Sequence, residues 1–258
     1  MVITSSTNKQ VKNVMQLMTK ASARREQKLF VVEGIKMFWE IPKDKIEKVY
    51  VSESCFNDNK QIKEEIKNYS YEVIKDSVFK EMSGTVTPQG IMALVKQNEY
   101  ELKDIIDKNK KQTFMVLEGL QDPGNMGTII RTAEGAGVSA IIMDKNTVDI
   151  YNPKVIRSTM GSIFRVPFLV YDNLKEAIDI LKKNDVLVYA AHLKGNIYYD
   201  DENFKTSSAI LIGNEGNGLS EEISLCADKL IKIPMCGKVE SLNASVAAAI
   251  LMYEAMKQ

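Results

Sequence analysis

Three polar clusters in this chain carry residues whose types could act on a ligand. In "LEGLQDPGNMGTIIRTAEGAG" (117–137), Asn125 and Arg131 stand among apolar neighbours. A guanidinium is a planar fork of donors matched to phosphate or carboxylate, so Arg131 is either solvated or aimed at such a group. Asn125 is placed to cap the helix that follows the Pro123-Gly124 turn. "IGNEGNGLS" (212–220) sets Glu215 among Gly213, Gly216 and Gly218. That much backbone freedom serves either a tight turn or a loop lying against a flat ligand. "IPMCGKVESLNASVAAAI" (233–250) holds Ser241 and Asn243, either of which can cap the final helix. The small residues of that helix allow it to pack closely on something.

Other chemistries lack their residues. His192 is the only histidine and ends the strand-like "YAAHLKG", so acid–base catalysis centred on histidine is not expected. P-loop, HExxH and paired-carboxylate patterns are absent. Cys55, Cys226 and Cys236 form no CxxC pair and are odd in number, which suggests neither a disulfide framework nor a zinc site. The glycine spacing GxxGxG also falls near the end of the chain. A dinucleotide fold wants GxGxxG after its first strand.

The elements that must position these clusters follow from periodicity. From residue 113 onward, strand-like runs at "TFMVLEGL", "SAIIMD", "RVPFLVY", "DVLVYAA", "SAILIGN" and "KLIKIP" alternate with helical patterns. Continuous apolar strands alternating with helices predict a parallel sheet covered on both faces. Ligands of such sheets bind beyond the carboxyl ends of the strands, where all three clusters lie. Before residue 97 the pattern is a smaller α/β module. "KLFVVEG", "KVYVSE" and "GIMALVK" read as strands, and a helix carries apolar residues at Val11, Val14, Met15 and Met18. Between the two, the polar stretch 97–112 reads as a linker, with one helical face formed by Leu102, Ile105 and Ile106. The division is therefore 1–96, 97–112 and 113–258.

Composition places the chain among soluble globular proteins, with 45% hydrophobic and 26% charged residues in 258. No apolar run approaches a membrane span. The opening "MVITSSTNKQVKN" has no apolar signal core, so a cytoplasmic protein is expected. Net charge is zero but unevenly spread. Residues 1–96 hold 16 basic and 12 acidic side chains, and the remainder 18 and 22. Residues 1–30 contain Lys9, Lys12, Lys20, Arg24, Arg25 and Lys28 against Glu26 alone. Such a cluster suits a phosphate-bearing partner, although charge alone is explained as readily by a solvated helix face.

Taken together and in this order, the three clusters resemble the three motifs of the SpoU branch of the SPOUT superfamily. Members are RNA 2′-O-ribose methyltransferases that use S-adenosylmethionine. "REQKLFVVEGIKMFWE" and "TPQGIMALV" resemble the family's amino-terminal RNA-substrate-binding domain, so the likeness covers nearly the whole chain. It implies an α/β fold with a trefoil-knotted parallel-sheet methyltransferase domain after a small α/β RNA-binding domain. It also implies a homodimer in which the last helix and the first-motif helix pack across the interface.

The same resemblance assigns residue roles. Asn125, Arg131, Glu215, Ser241 and Asn243 would form the catalytic set. Gly213, Asn214, Gly218, Ile233, Met235, Ser241 and Leu242 would contact the cofactor. No metal and no membrane are implied. Ribosomal RNA is expected ahead of transfer RNA by family analogy. Two alternatives stay open: a transfer RNA 2′-O-methyltransferase, and a non-catalytic RNA-binding assembly factor on the same fold.

Overall fold

A computed structural model of the chain describes residues 2–258. These fall into two compact units. The first runs to Asn98 and takes in Asp149–Phe164; the second comprises Glu99–Val148 and Arg165–Gln258.

The first unit holds five strands: β1 (Val2–Ile3), β2 (Leu29–Glu33), β3 (Ile46–Ser52), β4 (Tyr71–Ile74) and β5 (Ile91–Lys96). Their order is β1-β4-β3-β5-β2, with β5 antiparallel to both neighbours. The helix Lys9–Thr19 starts at Asn8, whose side chain accepts the Gln10 N–H. It buries Val11, Val14 and Leu17, whereas Met15 lies at the surface. The apolar face is thus rotated from the one expected, because the core takes Leu17 instead of Met15. The basic cluster also loses a member. Arg24 is 3% exposed, pairs with Asp149 at 2.6 Å and donates to the Leu17 carbonyl at 2.6 Å.

Asp149–Phe164 belongs to this unit although it lies far along the chain. Besides the Arg24 pair, Tyr151 packs its ring 4.5 Å from that of Phe30 and accepts the Asn98 N–H at 3.1 Å. Its helix Pro153–Thr159 packs on β2, an edge strand whose backbone would otherwise be open to pairing.

The second unit holds β6 (Thr113–Leu117), β7 (Ala140–Asp144), β8 (Phe168–Tyr171), β9 (Leu187–Ala191), β10 (Ile197–Tyr198), β11 (Ser208–Ile212) and β12 (Lys229–Lys232). The order is β10-β12-β9-β11-β6-β7-β8 and every pairing is parallel. All five residues of β6 and of β11 are buried, as a sheet covered on both faces requires. Phe114, Val116, Ile142, Val188 and Leu211 form the core on one face with the helix Leu174–Lys183. Leu102 joins that core at 2% exposure, and the Gln112 amide donates to the Ile105 carbonyl at 2.9 Å. Residues 99–112 are therefore packed into the second unit. On the other face the helices Pro123–Gly135 and Ala244–Lys257 pack together, with the Tyr253 hydroxyl beside Gly135.

Candidate functional site

The carboxyl ends of β6, β9, β11 and β12 converge on one side of the second unit. A cavity of about 660 Å³ opens there. Ala191–Lys194 after β9 form one wall, and the loop Gly213–Leu219 forms a second. Ile231–Ile233, Met235 and Ser241–Ala244 close the third with Ala247 and Leu251 of the last helix. The volume and the mainly apolar lining suit a ligand of small-molecule size.

The glycine loop is tight. Asn214 and Gly218 exchange backbone hydrogen bonds at 3.0 and 2.9 Å, closing a five-residue turn. The Asn214 side chain braces it, donating to the Gly119 carbonyl at 2.7 Å and accepting the Gly216 N–H at 2.9 Å. Gly218 takes φ +68°, which favours glycine. A Cβ at Gly213 would lie 2.1 Å from the carbonyl carbon of Gly218 and the nitrogen of Leu219. The close approach that demands glycine at 213 is thus the loop's approach to itself.

Glu215 ties this loop to the end of β6. Its carboxylate accepts the backbone N–H groups of Gln121 and Asp122, both at 3.0 Å, and the Asn125 side-chain amide at 3.1 Å. Desolvation opposes the charge, but the bonds from Gln121, Asn125 and Asp122 outweigh it and hold the carboxyl below its ordinary range. Asn125 also accepts from the Asn243 amide at 2.9 Å. Glu215, Asn125 and Asn243 thus form one chain of hydrogen bonds across all three sequence clusters.

Two capping assignments resolve. Asp122, not Asn125, caps the helix Pro123–Gly135, accepting the Asn125 N–H at 2.8 Å. Pro123 is the first helical residue, a position that tolerates its missing N–H, so no separate turn precedes the helix. This frees the Asn125 side chain for Glu215 and Asn243. Asn243 caps the last helix through the Ser245 N–H at 2.9 Å. Ser241 is exposed at the cavity edge.

Gly213, Asn214, Glu215, Gly218, Ile233, Met235, Ser241, Leu242 and Asn243 line the cavity. Asn125 joins them only through Glu215 and Asn243, and Arg131 does not reach the cavity. Arg131 is exposed and has no hydrogen-bond or ion-pair partner among the described residues. The wall Ala191–Lys194 was not expected from sequence. In it His192 accepts the Lys194 N–H on Nδ1 at 3.0 Å. Glu118 was also missed: it accepts the Ser220 N–H and hydroxyl at 2.8 and 2.7 Å, fastening the far end of the glycine loop to β6. The signal lay in the flanks, an acid ending one apolar strand and a serine following another. No group of three or more His, Cys, Asp or Glu side chains among the described residues could hold a metal ion. Nor is any helix there long and apolar enough to cross a membrane.

Residues 112–253 match the SpoU rRNA Methylase family. The chain belongs to this family. Residues 8–93 match the MRM3-like substrate binding domain. The protein named 23S rRNA (guanosine(2553)-2′-O)-methyltransferase RlmP, from Bacillus subtilis (strain 168), is 33% identical to this chain over 252 residues, covering 97% of each chain. The crystal structure of an AdoMet-bound rRNA methyltransferase from Sinorhizobium meliloti superposes with a TM-score of 0.84 at 29% identity, covering 100% of this chain and 97% of that one. A second structure of an rRNA methyltransferase from that organism gives 0.88 at 30% identity, with the same coverage. The α/β architecture with a parallel-sheet methyltransferase unit, expected from the motifs, is that of the family.

Proposed function

We propose that this protein transfers a methyl group from S-adenosylmethionine to a ribose 2′-hydroxyl of ribosomal RNA. The observation that carries the reading is the Glu215–Asn125–Asn243 hydrogen-bond chain. It locks three sequence-distant loops around a cavity of about 660 Å³, the arrangement a bound cofactor and an incoming ribose require. The named activity of RlmP and the AdoMet-bound relative support the same substrate and cofactor.

The cavity fits the cofactor. Ile212, Leu219, Ile231, Ile233 and Leu242 offer an apolar wall for a purine, and the backbone of Gly213–Gly218 offers hydrogen-bonding edges. When bound, S-adenosylmethionine supplies a methyl made electrophilic by its sulfonium. The chain's residues then have to align the ribose and ease loss of its proton. Asn125 and Asn243 are held to each other and to a carboxylate, so their free edges present fixed dipoles near the cavity mouth. Arg131 cannot act as a base, since a guanidinium stays protonated. Its role in this scheme is electrostatic, toward the developing alkoxide or a neighbouring phosphate.

Arg131 and Asn125 are six residues apart on one helix. At 3.6 residues per turn that is a rotation of about 600°, so the two side chains point about 120° apart. With Asn125 committed to its own cavity, Arg131 would serve the cavity of a second copy. The exposed Val246, Tyr253 and Met256 on the last helix supply an apolar stripe for such a homodimer. We also read the loops after β9, β11 and β12 as the crossing of a trefoil knot. The support is their tight threading, with a Cβ at Gly195 falling 2.9 Å from the Ile231 carbonyl carbon. The first unit, with Lys9, Lys12, Lys20, Arg25 and Lys28, is read as the RNA-substrate-binding domain.

Tritiated S-adenosylmethionine, bulk ribosomal RNA and nuclease digestion test the activity. Label resistant to base release but placed on ribose is expected. Label on a base, or none, would sink the reading. Mixing Arg131→Ala with Asn243→Ala protein tests the shared site, since some mixed dimers carry one intact site. No recovery of transfer, with subunit exchange shown separately, would return Arg131 to its own protomer.

A further inference from the structure

The sheet of the second unit ends, beside the cavity, in a feature that the cofactor and catalytic residues do not use. β10 is the edge strand, only two residues long, and Tyr198 stands in register with Lys232 of β12. Lys232 lines the cavity, and its ammonium lies 4.9 Å from the centroid of the Tyr198 ring. Tyr198 is 44% exposed. Leu193, 66% exposed, and Lys194 occupy the neighbouring wall of the cavity. Neither Lys194 nor Lys232 has a carboxylate partner among the described residues. An exposed edge strand gains nothing in solubility from an exposed tyrosine. A flat aromatic face backed by an unpaired cation, at the lip of a nucleotide-sized cavity, is instead what stacks an unpaired base and holds its phosphate.

We propose that Tyr198, with Lys232 and Lys194, forms a stacking platform for a single-stranded nucleotide of the RNA substrate that flanks the methylated one. The inference rests on the RNA methyltransferase reading above. The occupant is an RNA base and not the cofactor's adenine, because Tyr198 itself lies outside the cavity lining. Two unpaired lysines also match a phosphodiester, which the adenosine of S-adenosylmethionine lacks. Asp200 and Asp201 follow in the next turn, so the cationic patch is narrow and fits one phosphate or two, not a duplex.

The test compares full-length wild type with Tyr198→Ala, Tyr198→Phe and Lys194→Gln. Transfer is measured from tritiated cofactor into ribosomal RNA stripped from cells lacking the protein. Cofactor affinity is measured separately by calorimetry. Tyr198→Ala is expected to raise KM for RNA about tenfold or more, the scale of one lost base–aromatic stack, and to leave cofactor affinity unchanged. Tyr198→Phe keeps the ring and should match wild type. Lys194→Gln should flatten the salt dependence of KM by about 0.7 in the log–log slope, the share of one phosphate contact on a single strand. A wild-type KM in Tyr198→Ala, while wild type labels the RNA, would overturn the platform alone. Weakened cofactor binding in Tyr198→Ala would overturn it too, by assigning the ring to adenine. Wild type labelling no RNA would remove the underlying functional reading and the platform with it.

Discussion

The glycine loop predicts a graded series from one feature of its geometry. At Gly213 an added methyl carbon would meet only backbone: the Gly218 carbonyl carbon and Leu219 nitrogen at 2.1 Å and the Gly218 oxygen at 2.3 Å. Ordinary carbon contacts need about 3.5 Å, so the two segments must part by more than about 1 Å. Parting breaks the two bonds between Asn214 and Gly218. Two net backbone bonds at about 1 kcal/mol each, with residual strain, put the loss at roughly 2–4 kcal/mol for Gly213→Ala. At roughly 3 °C per kcal/mol, Tm falls by about 6–12 °C. Gly218 has open space around its Cβ position but sits at φ +68°, so Gly218→Ala carries strain alone, about 1 kcal/mol. At Gly216 the nearest atom is the Asn214 side-chain oxygen at 3.4 Å, and Gly216→Ala should stay within about 0.5 kcal/mol of wild type. Thermal melts rank stability and calorimetric titration with S-adenosylmethionine ranks affinity, with Gly213→Ala weakened at least tenfold. Any order other than 213, then 218, then 216 would refute the reasoning. So would wild-type melting and affinity in Gly213→Ala, because the self-contact would then be free to open.

Arg131→Ala should keep wild-type melting and cofactor affinity, since the side chain is exposed and unpartnered, while transfer to RNA falls by about 10²-fold, the scale of one preorganised charge contact. Full activity would remove Arg131 from the mechanism. Glu215 has a folded-state pKa held below its ordinary value, so its contribution is present above the unfolded pKa and is lost as pH falls through the folded one. The difference in melting temperature between wild type and Glu215→Gln should therefore shrink on acidification below the usual carboxylate range; a difference constant with pH would contradict this. In the first unit, Arg24 and Asp149 pair with side-chain exposures of 4% and 23%. Breaking a buried pair costs about 3–5 kcal/mol. Asp149→Ala should melt lower than Arg24→Ala, because it strands the more deeply buried charge, and the reverse order would count against that account.

The parallel sheet was legible because its strands are continuous apolar runs cut by helical periodicity, a pattern that few other folds produce. Shorter pieces were not. β10 has two residues, and β4, "YEVI", is bounded by polar neighbours, so neither shows a period of its own. The helix Pro153–Thr159 was legible as a helix but not as part of the first unit. Its allegiance depends on Arg24 and Phe30, more than 100 residues earlier. Arg24 itself reads as one more surface cation until its partner is known. Residues 99–112 read as a linker because charge dominates their composition, yet Leu102, with Tyr100, Ile105 and Ile106 packed against the same core, decides where they pack.

At the candidate site the sequence named the loops better than it named what each side chain does. Asn125 is the clearest case. A cap of the following helix was the local expectation, and Asp122 takes that role three residues earlier. Pro123 at the first helical position already marks Asp122 as the cap, and the tertiary position of Glu215 gives the Asn125 side chain its partner. With Asp122 capping, Asn125 is the one residue of that turn able to reach both Glu215 and Asn243, 90 and 118 residues away. Gly213 makes the same point about backbone. Its spacing left both a tight turn and a ligand-facing loop open, and the contacts at 213 show the turn, since the space a side chain would take is filled by Gly218 and Leu219. The loop must first close on itself before it can present Glu215 to Asn125. Glycine at 213 thus lets the turn close and leaves its own backbone on the cavity wall.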